Sequence, residues 1–518
     1  MAEQDRVETV SGSDGQQNHV LLQMSFVLGS GLLLIWGHRL LPLQDYPDWL
    51  IQGKLFSNWL RGTLDGVYAF KGVLVPNAIA TVCIGLLSLI SDLEVAGKLT
   101  VSAYVAGYVG AVAHLCGLLG RSASPTLLAV SLTFVFNYTF WHGELNYGLG
   151  LAALFGAQSM VLRSCAAPNG RLILGVTLAS LVIYACHGAA YAAWLMFLAA
   201  YAWESRRLYT RIWFALAVSP SLVFVVIYTL SMAAATRPVL LGWSLPDKLW
   251  LIVKSLCPFQ AFYPYFDPPA ASVLLAGNAI VIAYAGWALA RGLMFKRESL
   301  GLNERAIRAT LILYLIAFIA APNNLAGLLQ PAERLILPAL QLLLVWRVWS
   351  WRTAPSRHAT LKSSWIILVT QMIYMQLYGG YVSGQLASVH RQLRGFVQKS
   401  AVSVLHESHF HFEGRAHPTR PLAWRLLPTH YPVIRVTHYA NLEFGRPMPI
   451  FETGLFYNRS TYLQNSTDSV AHAPKDAPIV IIGWPPGNRA VRALLPGETA
   501  ELATDNRSFS VIGSAGER

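Results

Sequence analysis

The stretch LILGVTLASLVIYACHGAAYAAWLMFLAAYAW, residues 172–203, decides how this chain crosses a bilayer. A single helix over these 32 residues would be about 48 Å long, against a hydrocarbon core near 30 Å. It would also strand His187 at mid-membrane depth, where an ionisable side chain is expensive. Two helices turning at His187-Gly188 remove both difficulties. Parity links this choice to the apolar segment Val73–Ile90, which carries Pro76-Asn77. If 73–90 crosses, 172–203 is one helix and Arg121, Arg163 and Arg171 fall outside. If 73–90 lies on the membrane surface, 172–203 is a hairpin and those arginines fall inside. The hairpin is the preferred arrangement.

Composition agrees that the chain lives in a membrane. Hydrophobic residues make up 54%, charged residues 13%, and mean hydropathy is +0.44. That is about half the charge needed to coat soluble domains. The net charge of +13 would suggest nucleic acid in a soluble chain. Here the basic residues gather in short loops, where they set orientation, so no nucleic-acid partner is expected. Loops near 204–211 (Arg206, Arg207, Arg211), 291–308 and 347–362 are rich in Lys and Arg and read as cytoplasmic.

The expected fold is an all-α polytopic membrane protein of about 11 spans. These lie at 20–41, 98–119, 126–140, 147–162, 172–186, 189–203, 212–232, 271–290, 309–322, 335–349 and 363–380. Residues 1–19, polar and acidic, read as a disordered cytoplasmic tail. The transmembrane domain covers 20–380, with a long first outer loop at 42–97 carrying a juxtamembrane helix and a further outer loop at 233–270. The tail from 381 to 518 changes character, gaining Pro, His and Arg. Its run APIVIIGW (477–484) reads as a buried strand, so a small extracytoplasmic mixed α/β domain is expected, frayed over its last 20 or so residues. No internal repeat is evident, and the five cysteines show no paired spacing.

The clearest chemical signal is PLQDYPDWL (42–50), directly after the first span. A carboxylate at the outer rim stands where a lipid-borne substrate presents its headgroup. Pro47 restricts Tyr46 towards extended backbone. Asp45 and Asp48 also fit plain loop acids, with Asp48 capping a helix from Trp49. Further along come FWHGELNYGLG (140–150), PAERLILP (331–338) and HYAN (438–441).

Taken together these segments resemble GT-C glycosyltransferases, and more narrowly the bacterial membrane proteins of that type whose first outer loop reads roughly P-L-x-D-Y-P-N-H-L. The likeness covers about 20–460, and Asp48-Trp49 departs from the usual Asn-His. The resemblance implies an inverting transferase in the bacterial inner membrane. Its donor would be a polyprenyl-phosphate-linked sugar and its acceptor an envelope glycan, lipid or protein. The catalytic carboxylate of such enzymes lies in the first outer loop, and Asp45 is the matching position. A general base must reach the acceptor hydroxyl it deprotonates, and a nearby anion favours an oxocarbenium-like transition state.

Other candidates surround it. Arg334 has a planar fork suited to leaving phosphate, although a snorkelling interfacial arginine fits equally. Glu144 lies in the second outer loop, where GT-C enzymes carry a second acid. With Asp45 it could share a divalent cation, Mg or Mn, the one cofactor the residues suggest. His187 at the hairpin turn is a candidate for phosphate or acceptor hydroxyl, or for satisfying the turn's backbone carbonyls; His142 stands beside Glu144. In the stretch LPDKLWLIVKSL (245–256) an interfacial amphipathic helix is expected, with Lys254 a candidate phosphate contact. His409 and His411 alternate as zinc ligands on a strand would, but no second ligand pair supports a zinc site. The rival functions are a transporter or flippase of lipid-linked glycans and an O-antigen-type polymerase or ligase.

Overall fold

The computed structural model describes residues 2–64, 66, 68–72, 75–119, 124–164, 169–233, 248–249, 251–252, 255, 301–322, 324–325, 328–329, 331–349 and 357–397. Beyond these it describes 403–406, 439–440, 442–444, 455–458, 479–482, 491–493, 499–504 and 507–512. The described chain is mostly helical. Four stretches, 18–37, 93–116, 145–163 and 208–231, are long and apolar enough to cross a membrane.

Their burial sorts them by place in the bundle. The stretch 145–163 is 78% buried and central, whereas 18–37 (28%) and 208–231 (22%) turn most of their apolar surface outwards. Apolar side chains facing outwards along a whole helix are stable only against lipid or another apolar partner. The remaining helices are shorter, or carry more polar residues. We name them in chain order: α1 (Ala2–Gly37), α2 (Tyr46–Leu60), α3 (Ile79–Leu87), α4 (Leu93–Cys116), α5 (Ser124–Thr133), α6 (Tyr138–Trp141), α7 (Leu145–Arg163), α8 (Gly170–Cys186), α9 (Gly188–Glu204), α10 (Leu208–Ala233), α11 (Leu302–Ala320), α12 (Glu333–Trp349) and α13 (Arg357–Val397).

Residues 172–203 form two helices, α8 and α9, broken at His187, whose φ of −163° and ψ of 131° are extended. Among its described residues the linked segment 73–90 contains only α3, nine residues long. At 1.5 Å per residue that is roughly 14 Å, too short to cross. Before it Asn77 adopts a left-handed φ of 110°. Asn146, at the start of α7, holds this bend: its amide donates to Asn77 O (2.9 Å) and its oxygen accepts from Ala80 N (2.7 Å). Glycines let α3 lie tightly on α2. A Cβ on Gly53 would fall 2.3 Å from Ile84, and one on Gly85 would fall 2.6 Å from Phe56.

Several expectations need correction. The segment 126–140 is α5, a 3-10 turn at Phe134–Phe136 and α6, because Asn137 breaks off to cap the next helix, its side chain accepting from Phe140 N. Helix α1 runs unbroken from Ala2, across the polar segment 1–19 expected to be a disordered tail; once a helix is nucleated, each added residue gains a bond at little cost. The boundary drawn at 380 falls inside α13, which continues to Val397. Its 41 residues make about 60 Å of helix, twice a hydrocarbon core.

In the tail, Ile479–Ile482 is a strand as expected, parallel to Ser403–His406 and antiparallel to Val491–Ala493. Where fraying was expected, Thr499–Thr504 pairs with Arg507–Ile512 as an antiparallel hairpin. The expected span at 271–290, together with His409 and His411, lies outside the described residues.

Candidate functional site

The site is built where the chain leaves α1. Gln44 N donates to Trp141 O (3.1 Å) and Asp45 N donates to His142 O (3.0 Å), so the first loop is bonded to the turn between α6 and α7. That turn contains Gly143 at φ +80°, where any Cβ would lie 2.6 Å from Asp45 N. Gly143 O in turn accepts from Trp49 Nε1 at 2.8 Å. Two segments a hundred residues apart are thereby held in register.

Asp45 is the N-cap residue of α2; its carbonyl accepts from Asp48 N (3.1 Å). Pro47 occupies the first turn, where its missing N–H costs nothing. Tyr46 is therefore helical, not extended, and Asp48 is not the cap: it lies inside the first turn, fully buried. Tyr46 Oη donates to Glu94 O (3.3 Å), tying α2 to α4.

Around Asp45 the side chains form a chain of charge. His142 Nδ1 lies 3.6 Å from Asp45 Oδ2 and 3.3 Å from Glu144 Oε1. Arg334 Nη2 donates to that same Glu144 oxygen, while Nη1 donates to Glu333 Oε2 (3.2 Å). The carboxylate side chains of Asp45 and Glu144 are only 12% and 11% exposed, and that of Arg334 11%. Burial alone would raise the Glu144 carboxyl, but Arg334 and His142 outweigh it and hold it at about 2. Glu144 is thus ionised at neutral pH. Tyr147 Oη fixes the backbone beneath Arg334, donating to its carbonyl at 2.6 Å.

His187 meets the same cluster from the α8–α9 turn. Its ring packs edge-on against Tyr147, centroids 5.1 Å apart, and Nδ1 accepts from Ala189 N (3.1 Å), capping α9. His187 thus serves the turn by accepting from a backbone N–H, not by donating to a carbonyl as expected. Burial, with Arg334 adding to it, pushes this imidazole down to about 3, so it is neutral with its proton on Nε2.

Asp45, Asp48, His142, Glu144, His187 and Arg334 are accordingly brought to one end of the bundle. Lys254 lies outside the described residues. Its neighbour Lys248 is helical and donates to Phe318 O (2.9 Å) and Ala321 O (2.6 Å), closing the end of α11. Sequence reasoning missed Glu333 as the second acid on Arg334, although PAERLILP displays it.

His142 Nδ1 stands within 3.6 Å of Asp45 Oδ2 and 3.3 Å of Glu144 Oε1, and Arg334 takes that Glu144 oxygen, while Glu144 Oε2 has no hydrogen-bond partner among the described residues. Among the described residues no group of three or more His, Cys, Asp and Glu is arranged to hold a metal. No family model, no curated protein and no solved structure matches the chain.

Proposed function

We propose that the chain is a membrane-embedded glycosyltransferase that moves a sugar from a polyprenyl-phosphate-linked donor to an envelope acceptor, with Asp45 as base. One observation carries the reading: acids, imidazoles and a guanidinium from positions 45, 142–144, 187 and 333–334 converge at one end of an apolar bundle. Buried charge in a membrane protein is costly and marks function by default. Asp45 takes the proton of the acceptor hydroxyl as its oxygen attacks the anomeric carbon and the bond to phosphate breaks. His142, between Asp45 and Glu144, orients the base. One guanidinium against Asp45, Glu144 and Glu333 leaves the cluster net negative, which favours positive charge developing on the sugar ring.

Arg334 is positioned for the departing phosphate. Its Nε has no hydrogen-bond partner among the described residues, so the fork retains a donor after both acids are satisfied. The charged candidate residues gather at one end of the bundle, which favours a transferase over a transporter.

Asp45→Asn tests the reading. The expected result is loss of transfer by roughly 10²–10⁴-fold, with folding and donor binding retained and a lipid-linked sugar accumulating in cells that carry the variant. Full transfer by this variant would remove the proposal. Retained movement of lipid across the bilayer with no transfer in the parent would favour the flippase.

A further inference from the structure

The protein itself uses the Glu144–Arg334 pair incompletely. Arg334 Nη2 donates to Glu144 Oε1 and Nη1 to Glu333 Oε2 (3.2 Å). Glu144 Oε2 and Arg334 Nε, by contrast, are both buried with no hydrogen-bond partner among the described residues. Against the effect of burial, Arg334 and His142 hold the Glu144 carboxyl at about 2, so it is ionised at neutral pH. A buried anionic oxygen that accepts no hydrogen bond is costly. Nor does the residue spend its side chain on its own helix: Glu144 occupies the N-cap position of α7 without a side-chain cap bond. Its second oxygen is thus left for a donor that the described chain does not supply.

The spare acceptor and the spare donor are near each other. Each shares a carbon with an atom of the Nη2–Oε1 contact, so both fall within the span of one sugar phosphate. As a ligand of the leaving group, Arg334 Nε takes an oxygen of the donor phosphate, which is esterified at the anomeric carbon. Two ring atoms flank that carbon. The ring oxygen can only accept, whereas a hydroxyl on carbon 2 can donate. An ionised carboxylate only accepts, so it is matched to the hydroxyl. We propose, on the transferase reading, that Glu144 determines sugar specificity by accepting from a hydroxyl on carbon 2 of the transferred sugar. Oε2 is shut off from solvent, so the hydroxyl reaches it as His142 turns aside; at 22%, that side chain is the most exposed in the cluster's ion pairs. A hydrogen bond from this hydroxyl strengthens as positive charge develops on the ring.

The test uses the full-length protein in detergent, with an envelope fraction from cells lacking the protein as acceptor. The donors are decaprenyl-phosphate-linked glucose, galactose, mannose, arabinose and N-acetylglucosamine, and whichever sugar is transferred is compared with its 2-deoxy form. The parent is expected to favour the hydroxyl-bearing donor by roughly 10–100-fold in kcat/KM, the worth of one hydrogen bond to a charged group. Glu144→Gln, which keeps the shape but not the charge, is expected to shrink that preference to about threefold. Should this variant fail to fold, Glu144→Asp, which withdraws the carboxylate by one methylene, carries the same expectation. A merely structural role would lower transfer from both donors alike and leave the preference intact; that result overturns the inference, as does equal use of the 2-deoxy donor by the parent. Transfer from N-acetylglucosamine alone would likewise overturn the hydroxyl. No transfer from any donor would instead remove the transferase reading itself.

Discussion

At the scale of single residues, Gly143 shows how much of the site rests on backbone. It combines a left-handed φ with an approach to Asp45 N that no Cβ can share. Gly143→Ala is expected to cost about 1–3 kcal/mol and to lower the unfolding temperature in detergent, while also reducing the proposed sugar transfer, because Asp45 moves with the turn. Glu144 gives a second expectation. Its carboxyl is depressed from its ordinary 4.5 to about 2, so the stability it contributes is present above pH 4.5 and is lost as pH falls towards 2. Glu144→Gln should therefore unfold earlier than the parent at pH 7, with the difference shrinking below about pH 4. A gap that stays constant with pH would mean that the ion pair with Arg334 is not what the substitution removes. The sequence made Asp45, Glu144 and Arg334 legible because charges beside apolar runs are conspicuous. It could not show that His142 stands between two acids, since that depends on a turn whose geometry is set by Gly143 and by contacts made a hundred residues away.

Among elements, the break at His187 was readable because helix length and membrane thickness conflict, and that arithmetic needs no tertiary information. The division of 126–140 was not readable: a mostly apolar run without a charged residue gives no hint that Asn137 will leave the helix to cap its successor. Packing at the α2–α3 contact depended likewise on two glycines, 53 and 85, facing each other. Gly85→Ala would place a methyl 2.6 Å from the Phe56 ring and 3.0 Å from Gly53 O. It is expected to destabilise by roughly 1–3 kcal/mol, read as a lower midpoint in thermal unfolding, whereas an alanine at Gly62, with nothing within 4 Å, has only its φ of +70° to resist it.

For the molecule as a whole, the tail is part of the site's support. Residues 456–458 pair antiparallel with 68–70 of the first loop, Phe456 N donates to Gln52 Oε1 (3.4 Å), and Lys71 N donates to Leu455 O (3.0 Å). Deleting everything after residue 397 is expected to expose Tyr68 and Phe70 and to make 61–78 the first place cut in limited proteolysis; unchanged resistance there would show that the first loop stands without the tail. The composition shift near 381 did not mark where the helix stops, because composition and helicity are separate properties. That separation has a mechanical consequence. Glu443 is gripped by His390 (3.1 Å), Arg394 (2.7 Å) and Arg39 (3.6 Å), the first two of them on the projecting turns of α13. A helix transmits rotation, so one residue inserted between Ser383 and His390 would swing those two grips about 100° off their target, while seven would restore their bearing some 10 Å further out. The spacing between bundle and tail is thus set like the pitch of a screw, by residue count and not by slack.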